Sequence, residues 1–269
     1  MALGALRSIV ESTASGHRTL AEKAFASLHE AIVTGVLEPG VRLPIEDLAD
    51  ILDMSPMPIR EALRRLDSVG LVENVPHRGA RVTDLSIEDL LEVYEARLSL
   101  EPLAVRRAAE RFTEDDHAAA QRALRRHLAA CERDDIKEVW LTHTDFHFTL
   151  YRAAGSRWLT RLITPLWESS ERYRFASTPL QRSVADRQAE HERLLVACAE
   201  HRPAEAVREL RNHLARTANA VARFMGGADL FDLEPPARAR AGSDALPPRS
   251  GDGRLRSADR PRGGAKPAS

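Results

Sequence analysis

From residue 86 to residue 226, apolar side chains recur at helical spacing, and no alternating strand-like run interrupts them. Helices of this kind can bury their apolar stripes only against one another, which predicts an antiparallel helical bundle. Local chemistry marks the element ends. Ser86 with Asp89, and Thr113 with Asp116, have capping-box spacing, so helices are predicted over 86–111 and from 113 onward. Further helices fit 134–154, 157–175, 183–201 and 203–226. Pro203 suits a first turn, and Gly226-Gly227 is a stop.

The segment before the bundle reads differently. Leu20, Ala24, Leu28, Ala31 and Ile32 lie on one helix face, and Gly35 ends that helix. LEPGVRL is a turn followed by a short extended piece, and a second helix from about Ile45 carries Leu48, Ala49 and Leu52. After a tight turn at Asp53-Met54, Ser55 can cap a third helix with Pro56 at its first position. Ile59, Leu63 and Leu66 give that helix a buried stripe, with Arg60 and Arg64 away from it. Leu71–Glu73 and Ala80–Thr83 read as short strands joined by NVPHRG. Three helices and a hairpin make a winged helix-turn-helix, whose third helix can enter a major groove while the wing touches phosphate or the minor groove.

The domains expected are therefore a flexible amino terminus (1–17), a winged helix-turn-helix (18–84), an all-helical bundle (85–228) and a Pro/Gly/Arg-rich tail (229–269) too poor in apolar surface to order. A net charge of −1 argues against coating nucleic acid with the whole surface. The positive residues of the first domain nevertheless cluster at Arg60, Arg64, Arg65, Arg78 and Arg81 on the third helix and wing. Such a polarised surface suits DNA binding, although a winged helix used only for protein contact fits the pattern as well. Two cysteines form no disulfide framework, and no run reaches the ~18 apolar residues of a membrane span. A cytoplasmic protein without membrane contact is expected.

The bundle carries the more chemical feature. His143 and His147 share a helix face, while His191 aligns with Leu195 and Cys198, and His213 with Leu210 and Thr217. Four imidazoles on inward stripes of three helices could be separately satisfied core residues. They could equally form a divalent metal site, for which neutral imidazole suits Zn, Ni or Fe. Asp145 projects away from the pair, Glu190 and Glu192 are placed off the metal face, and His17, His29, His117, His127 and His201 are read as solvated.

The run LHEAIVTGVLEPGVRLPIEDLADILDMSPMPIREALRRLDSVGLVENVPHRGARVTDLS closely resembles the DNA-binding domain of GntR-type transcriptional regulators. EARLSLEPLAVRRAA, DFHFTLYRAAGSRWLTRLI, AEHERLLVACAEHRPAEAV and LRNHL resemble the all-helical ligand-binding domain of that family's FadR branch. The resemblance implies DNA contacts from Arg60, Arg64, Arg65, His77, Arg78 and Gly79. It also implies a metal held by His147, His191 and His213, with His143 where the branch usually has Asp or Asn. A further nitrogen in place of a carboxylate favours Zn or Ni. Arg97 becomes a candidate to hold an effector carboxylate. Pro56 stands where the family usually has an Arg that touches DNA, which implies an operator unlike the common half-site.

A homodimeric, ligand-responsive regulator is thus expected, a repressor released from a pseudo-palindromic double-stranded operator by a small carboxylate. The competing readings are a DNA-binding protein with an effector-independent structural or protein-interaction bundle, and a metal-dependent enzyme fused to a DNA-binding domain. The second lacks a well-placed general base near a metal-bound water.

Overall fold

The computed structural model describes Leu6, Ile9 and residues 19–75, 79–133, 135–177 and 184–235. The winged region consists of α1 (Leu20–Val33), β1 (Arg42–Leu43), α2 (Ile45–Leu52), α3 (Pro56–Ser68), β2 (Val72–Val75) and β3 (Gly79–Val82). The bundle consists of α4 (Ile87–Arg111), α5 (Glu114–Glu132), α6 (Ile136–Ala153), α7 (Arg157–Ala176), α8 (Val184–Ala199) and α9 (Pro203–Phe224). The fold is mostly helical, with one small antiparallel sheet.

Thr19 begins α1 with a complete capping box to Glu22. Between α2 and α3 the chain turns through Asp53 at φ 52, a left-handed conformation that Asp tolerates better than most residues. Ser55 occupies the N-cap of α3 without a side-chain bond, and Pro56 follows it in the first turn. Ile59, Ala62, Leu63 and Leu66 bury one face of α3, so its remaining faces are left to solvent. The extended piece after the first turn pairs with the hairpin, giving strand order β1-β3-β2 with Arg42 opposite Arg81 and Val72 opposite Val82. Gly79 is where this close approach is made. At φ 89, a Cβ there would lie 2.7 Å from the Leu43 carbonyl oxygen. Its role in the wing is therefore to let β3 meet β1.

In the bundle, α4 is central and packs against α9, α7, α6 and α8, while α5 packs along α6. Ser86 and Thr113 both cap their helices, Thr113 through a full capping box with Asp116. The core includes Tyr94, Phe146, Tyr151, Trp167 and Tyr173, all essentially buried. Contacts with the winged region come chiefly from α7, which touches α1.

Leu6 is fully buried in the winged core and Ile9 packs beside it, while the rest of the expected flexible amino terminus lies outside the described residues. One expectation at the other chain end is corrected. The expected tail began at residue 229, yet Leu230 and Phe231 pack on the bundle core. Two buried asparagines of α9 explain this. Asn219 Oδ1 accepts from the Leu230 and Phe231 amides at 2.8 and 3.0 Å, and its Nδ2 donates to the Phe231 carbonyl at 2.8 Å. Asn212 makes the same reciprocal pair with Glu234 at 2.8 and 3.0 Å. Backbone hydrogen bonding to side chains thus orders a stretch whose composition reads as loop. The remainder of the tail, 236–269, lies outside the described residues.

Replacing Asn219 by Ala removes three of these bonds and strands two amides. The variant should lose about 2 kcal/mol of stability, read as a lower midpoint in urea.

Candidate metal centre and nucleic-acid interface

Helix α6 places His143 and His147 one turn apart, facing α8 and α9. His191 on α8 and His213 on α9 meet them, and one ligand nitrogen from each of the four lies within 4.8 Å of the others. His147 and His191 are fully buried, His213 nearly so, and His143 is half-buried. Burial, and then the mutual proximity of the rings, holds His143, His147 and His191 well below the ordinary imidazole range. These rings are neutral at pH 7 and keep a lone pair each.

The hydrogen bonds decide where two of those lone pairs point. Tyr151 spends its only proton on Glu101 Oε2 at 2.6 Å, so its oxygen can only accept from His147 Nδ1, 3.4 Å away. That leaves His147 Nε2 bare, 3.3 Å from His191 Nε2. His213 Nδ1 donates to Glu190 Oε2 at 2.9 Å, so Nε2 is the nitrogen it can offer to an ion. The other His191 nitrogen, Nδ1, is buried without a hydrogen-bond partner. Facing nitrogens at 3.3 Å match the spacing of two ligands on one tetrahedral ion at about 2.0–2.1 Å each. Glu190 behind His213, and Tyr151 backed by Glu101 behind His147, supply the outer hydrogen bonds such ligands ordinarily make. The donor set fits a divalent metal.

His143 is different. Its Nδ1 lies 3.2 Å from Arg174 Nη1, a group that only donates, so that lone pair is already used.

Several expectations need correction. Glu190 was expected off the metal face, but it is buried and bonded both to His213 and to Arg216 at 3.0 Å. It follows His213 because α8 packs on α9, which the periodicity of α8 alone does not reveal. His127 was read as solvated. It is buried on α5, its ring 5.2 Å from that of His143 and 5.4 Å from that of His191, and burial pushes its pKa down to about 4. His29 is half-buried where α1 meets α7, and burial lowers its pKa too. Arg97 lines a cavity beside the cluster but is buried and already bonded. Its Nε and Nη2 donate to Glu101 and its Nη1 to Ser170 Oγ at 3.0 Å, so it fixes the Glu101–Tyr151–His147 chain. Arg174, which periodicity had not singled out, is the arginine against His143. Asp145 lies outside the cluster, in surface ion pairs with Arg126 and Arg152.

A cavity of about 160 Å³ adjoins the cluster. It is lined by His127, His143, His191 and His213, by Arg97, Arg174 and Arg187, and by Trp140, Ile136, Val139 and Leu214. Among the described residues no Asp or Glu lines it. An anionic group with an apolar body is the complement of such walls.

On α3, Arg60 and Arg64 are exposed and, among the described residues, neither is in an ion pair. Arg65 does not join them. Its guanidinium lies 3.6 Å over the Phe25 ring and 4.0 Å from Glu168 on α7, so it serves the contact between the two regions. Arg81 is likewise paired, with Glu73 at 2.6 Å and Asp84 at 3.1 Å. His77 and Arg78 at the wing tip lie outside the described residues.

With this geometry in view, comparison with known proteins is decisive. Residues 20–82 match the model of bacterial regulatory proteins of the gntR family, and residues 92–216 match the FCD domain. The HTH-type transcriptional regulator BphR of Paraburkholderia xenovorans is 30% identical over 213 residues, covering 77% of this chain and 87% of that protein. The chain belongs to the GntR family. The HTH-type transcriptional repressor GlaR of Escherichia coli is 29% identical over 212 residues, 74% of this chain and 94% of the relative. The solved structure of Escherichia coli McbR/YncC superposes with a TM-score of 0.64 at 24% identity, over 78% of this chain and 97% of that one. A GntR transcriptional regulator from Rhodococcus sp. RHA1 gives 0.62 at 24% identity, over 77% and 97%. These relatives are regulators of transcription, not enzymes, and this GntR-type chain is a DNA-binding transcriptional regulator built from a winged helix-turn-helix and an FCD domain.

Two predictions follow from the charges. In the unfolded chain His127, His143, His147 and His191 take up protons near 6.5, whereas in the folded bundle they resist until lower pH. The unfolded state then binds more protons, so stability falls as pH drops below 6.5. In chelator, urea titrations at pH 7.5 and 5.5 should differ by about 1 kcal/mol per imidazole. Separately, Arg60→Ala or Arg64→Ala should weaken binding to the chain's own promoter segment by about 1–3 kcal/mol in fluorescence anisotropy, and Arg65→Ala by less.

Proposed function

We propose that this GntR regulator is a metal-dependent sensor of a small carboxylate, and that effector binding in the bundle changes its grip on a pseudo-palindromic operator. The observation that carries the reading is the joining of a histidine cluster to a cavity walled by arginines and, among the described residues, free of acids. His147, His191 and His213 would hold the ion, with His143 as a fourth, weaker ligand because Arg174 competes for its Nδ1. All-nitrogen ligation favours Zn²⁺ or Ni²⁺ over Mg²⁺ or Mn²⁺. A bound ion would supply positive charge and an open position for a carboxylate oxygen. The protein's own part is to orient His147 through Tyr151 and His213 through Glu190, and to present Arg174 and Arg187 to the anion. Trp140, Ile136, Val139 and Leu214 would take the apolar body of the effector, and the cavity volume holds a molecule of about benzene size with its acid group.

A homodimer would set two α3 helices on successive major grooves, as two-fold operators require. Repression is supported by relatives named as repressors, among them GlaR. Pro56 offers neither charge nor donor at the start of α3, so Arg60, Arg64 and the wing carry the readout and the half-site departs from the common family pattern.

Metal content after purification without chelator tests the centre. The chain should hold about one Zn²⁺ or Ni²⁺ per site. His147→Ala and His191→Ala should abolish it, while His143→Ala should weaken affinity by about tenfold. Carboxylates should raise the melting temperature only in the metal-loaded protein and should change operator affinity. Metal-free preparations with full carboxylate response would contradict the reading.

A further inference from the structure

Helix α7 touches both the imidazole cluster and the winged region, through residues three apart on one face. Arg174 Nη1 lies 3.2 Å from His143 Nδ1, and Arg174 Nη2 lies 3.7 Å from Glu171 Oε1. The Glu171 carboxylate also accepts from Trp167 Nε1 at 3.2 Å and from Thr144 Oγ1 at 3.3 Å. Its second oxygen stands 3.5 Å from His29 Nε2 on α1. The His29 ring is 5.5 Å from the Phe25 ring, and over that same ring lies Arg65 of α3. Arg65 returns to α7 through Glu168 at 4.0 Å. These contacts close a loop from the cluster to the helix that carries Arg60 and Arg64.

We propose that Arg174 and Glu171 form a relay that reports the state of His143 to α1 and α3. His143 Nδ1 has one lone pair, which serves either Arg174 or an ion. An ion that recruits His143 therefore releases the Arg174 guanidinium. An acceptor already beside it is Glu171, and a tighter Arg174–Glu171 pair draws that carboxylate away from His29. The α1 end of the contact loosens, and with it the Phe25–Arg65 stack that steadies α3. The two arrangements differ by partner exchange in a buried setting, where a change of ionic partner carries a large energy. Both are discrete, as a coupling path requires. Lys137–Glu30, at 2.8 Å, is a second ion pair between α1 and the bundle, but it comes from α6 and, among the described residues, touches neither Arg174 nor Glu171.

The inference rests on the metal reading above, so its test separates the two. Hydrogen–deuterium exchange of the full-length protein is compared with and without Zn²⁺ alone. In the wild type, Zn²⁺ should slow exchange in α6, α8 and α9, and should quicken it at least about twofold in α1 and α3. Glu171→Gln keeps an acceptor for Trp167 and Thr144 but loses the charge. It should retain the local slowing and lose the distant response. His29→Phe keeps the stack on Phe25 and should do the same, providing a second variant if Glu171→Gln is unstable. Lys137→Ala should leave the distant response intact. A wild-type α1 and α3 indifferent to Zn²⁺ would overturn the relay while leaving the metal centre standing. So would a distant response that persists in Glu171→Gln or His29→Phe, or that disappears in Lys137→Ala. Absence of slowing in α6, α8 and α9 would overturn the metal reading and the relay with it.

Discussion

Packing imidazoles from α5, α6 and α8 against one another in a buried space forces them to be neutral, and the rest of the bundle is arranged around that constraint. Charging any of them would place a cation against its neighbours, with little water to screen it. Neutral rings must instead commit their protons, and the surroundings choose which nitrogen holds each one. Tyr151, itself held by Glu101 and Arg97, sets His147, and Glu190, held by Arg216, sets His213. Buried carboxylates that would be costly alone are each matched by an arginine. The cluster is therefore a pre-set donor array, costly in stability at low pH and suited to a cation.

Helix α7 makes the same economy serve two regions. Tyr173 donates to Asp89 at 2.5 Å and accepts from the Ser86 amide at 3.3 Å, while Arg172 donates to the Thr83 carbonyl at 2.9 Å. These bonds tie the exit of the wing and the start of α4 to α7. On its other face the helix presents Trp167 and Arg174 to His143, with rings at 5.6 Å and the guanidinium in hydrogen-bond range. A helix so placed can carry information between an effector cavity and a DNA-reading helix by exchange of contacts, without changing its fold.

Much of this was legible in the chain. Apolar spacing located the helices of both regions within a residue or two of their ends, because a 3.6-residue period and a capping side chain are local properties. The inward placement of His143, His147, His191 and His213 was legible for the same reason. The errors were of one kind: His127 read as solvated and Glu190 as turned away, while the ties of Arg65 to Phe25 and of Arg97 to Glu101 and Ser170 were not foreseen. Each judgement needed the identity of a neighbour on another helix.

The amino-acid order by itself determined the elements, the stripe each would bury, the turn chemistry at Asp53 and Gly79, and the residue types available for binding. Those follow from dihedral preferences and from periodicity, which act over a few residues. Only the tertiary structure decided which polar groups share a buried space, hence which nitrogen of each histidine is bare, which arginine is spent on a carboxylate and which faces the cavity. The Leu230–Glu234 stretch shows the same division, since its order comes from Asn219 and Asn212 on a helix it follows in sequence. Hydrogen-bond partners and burial are set by packing across elements far apart in the chain, and no local pattern encodes them.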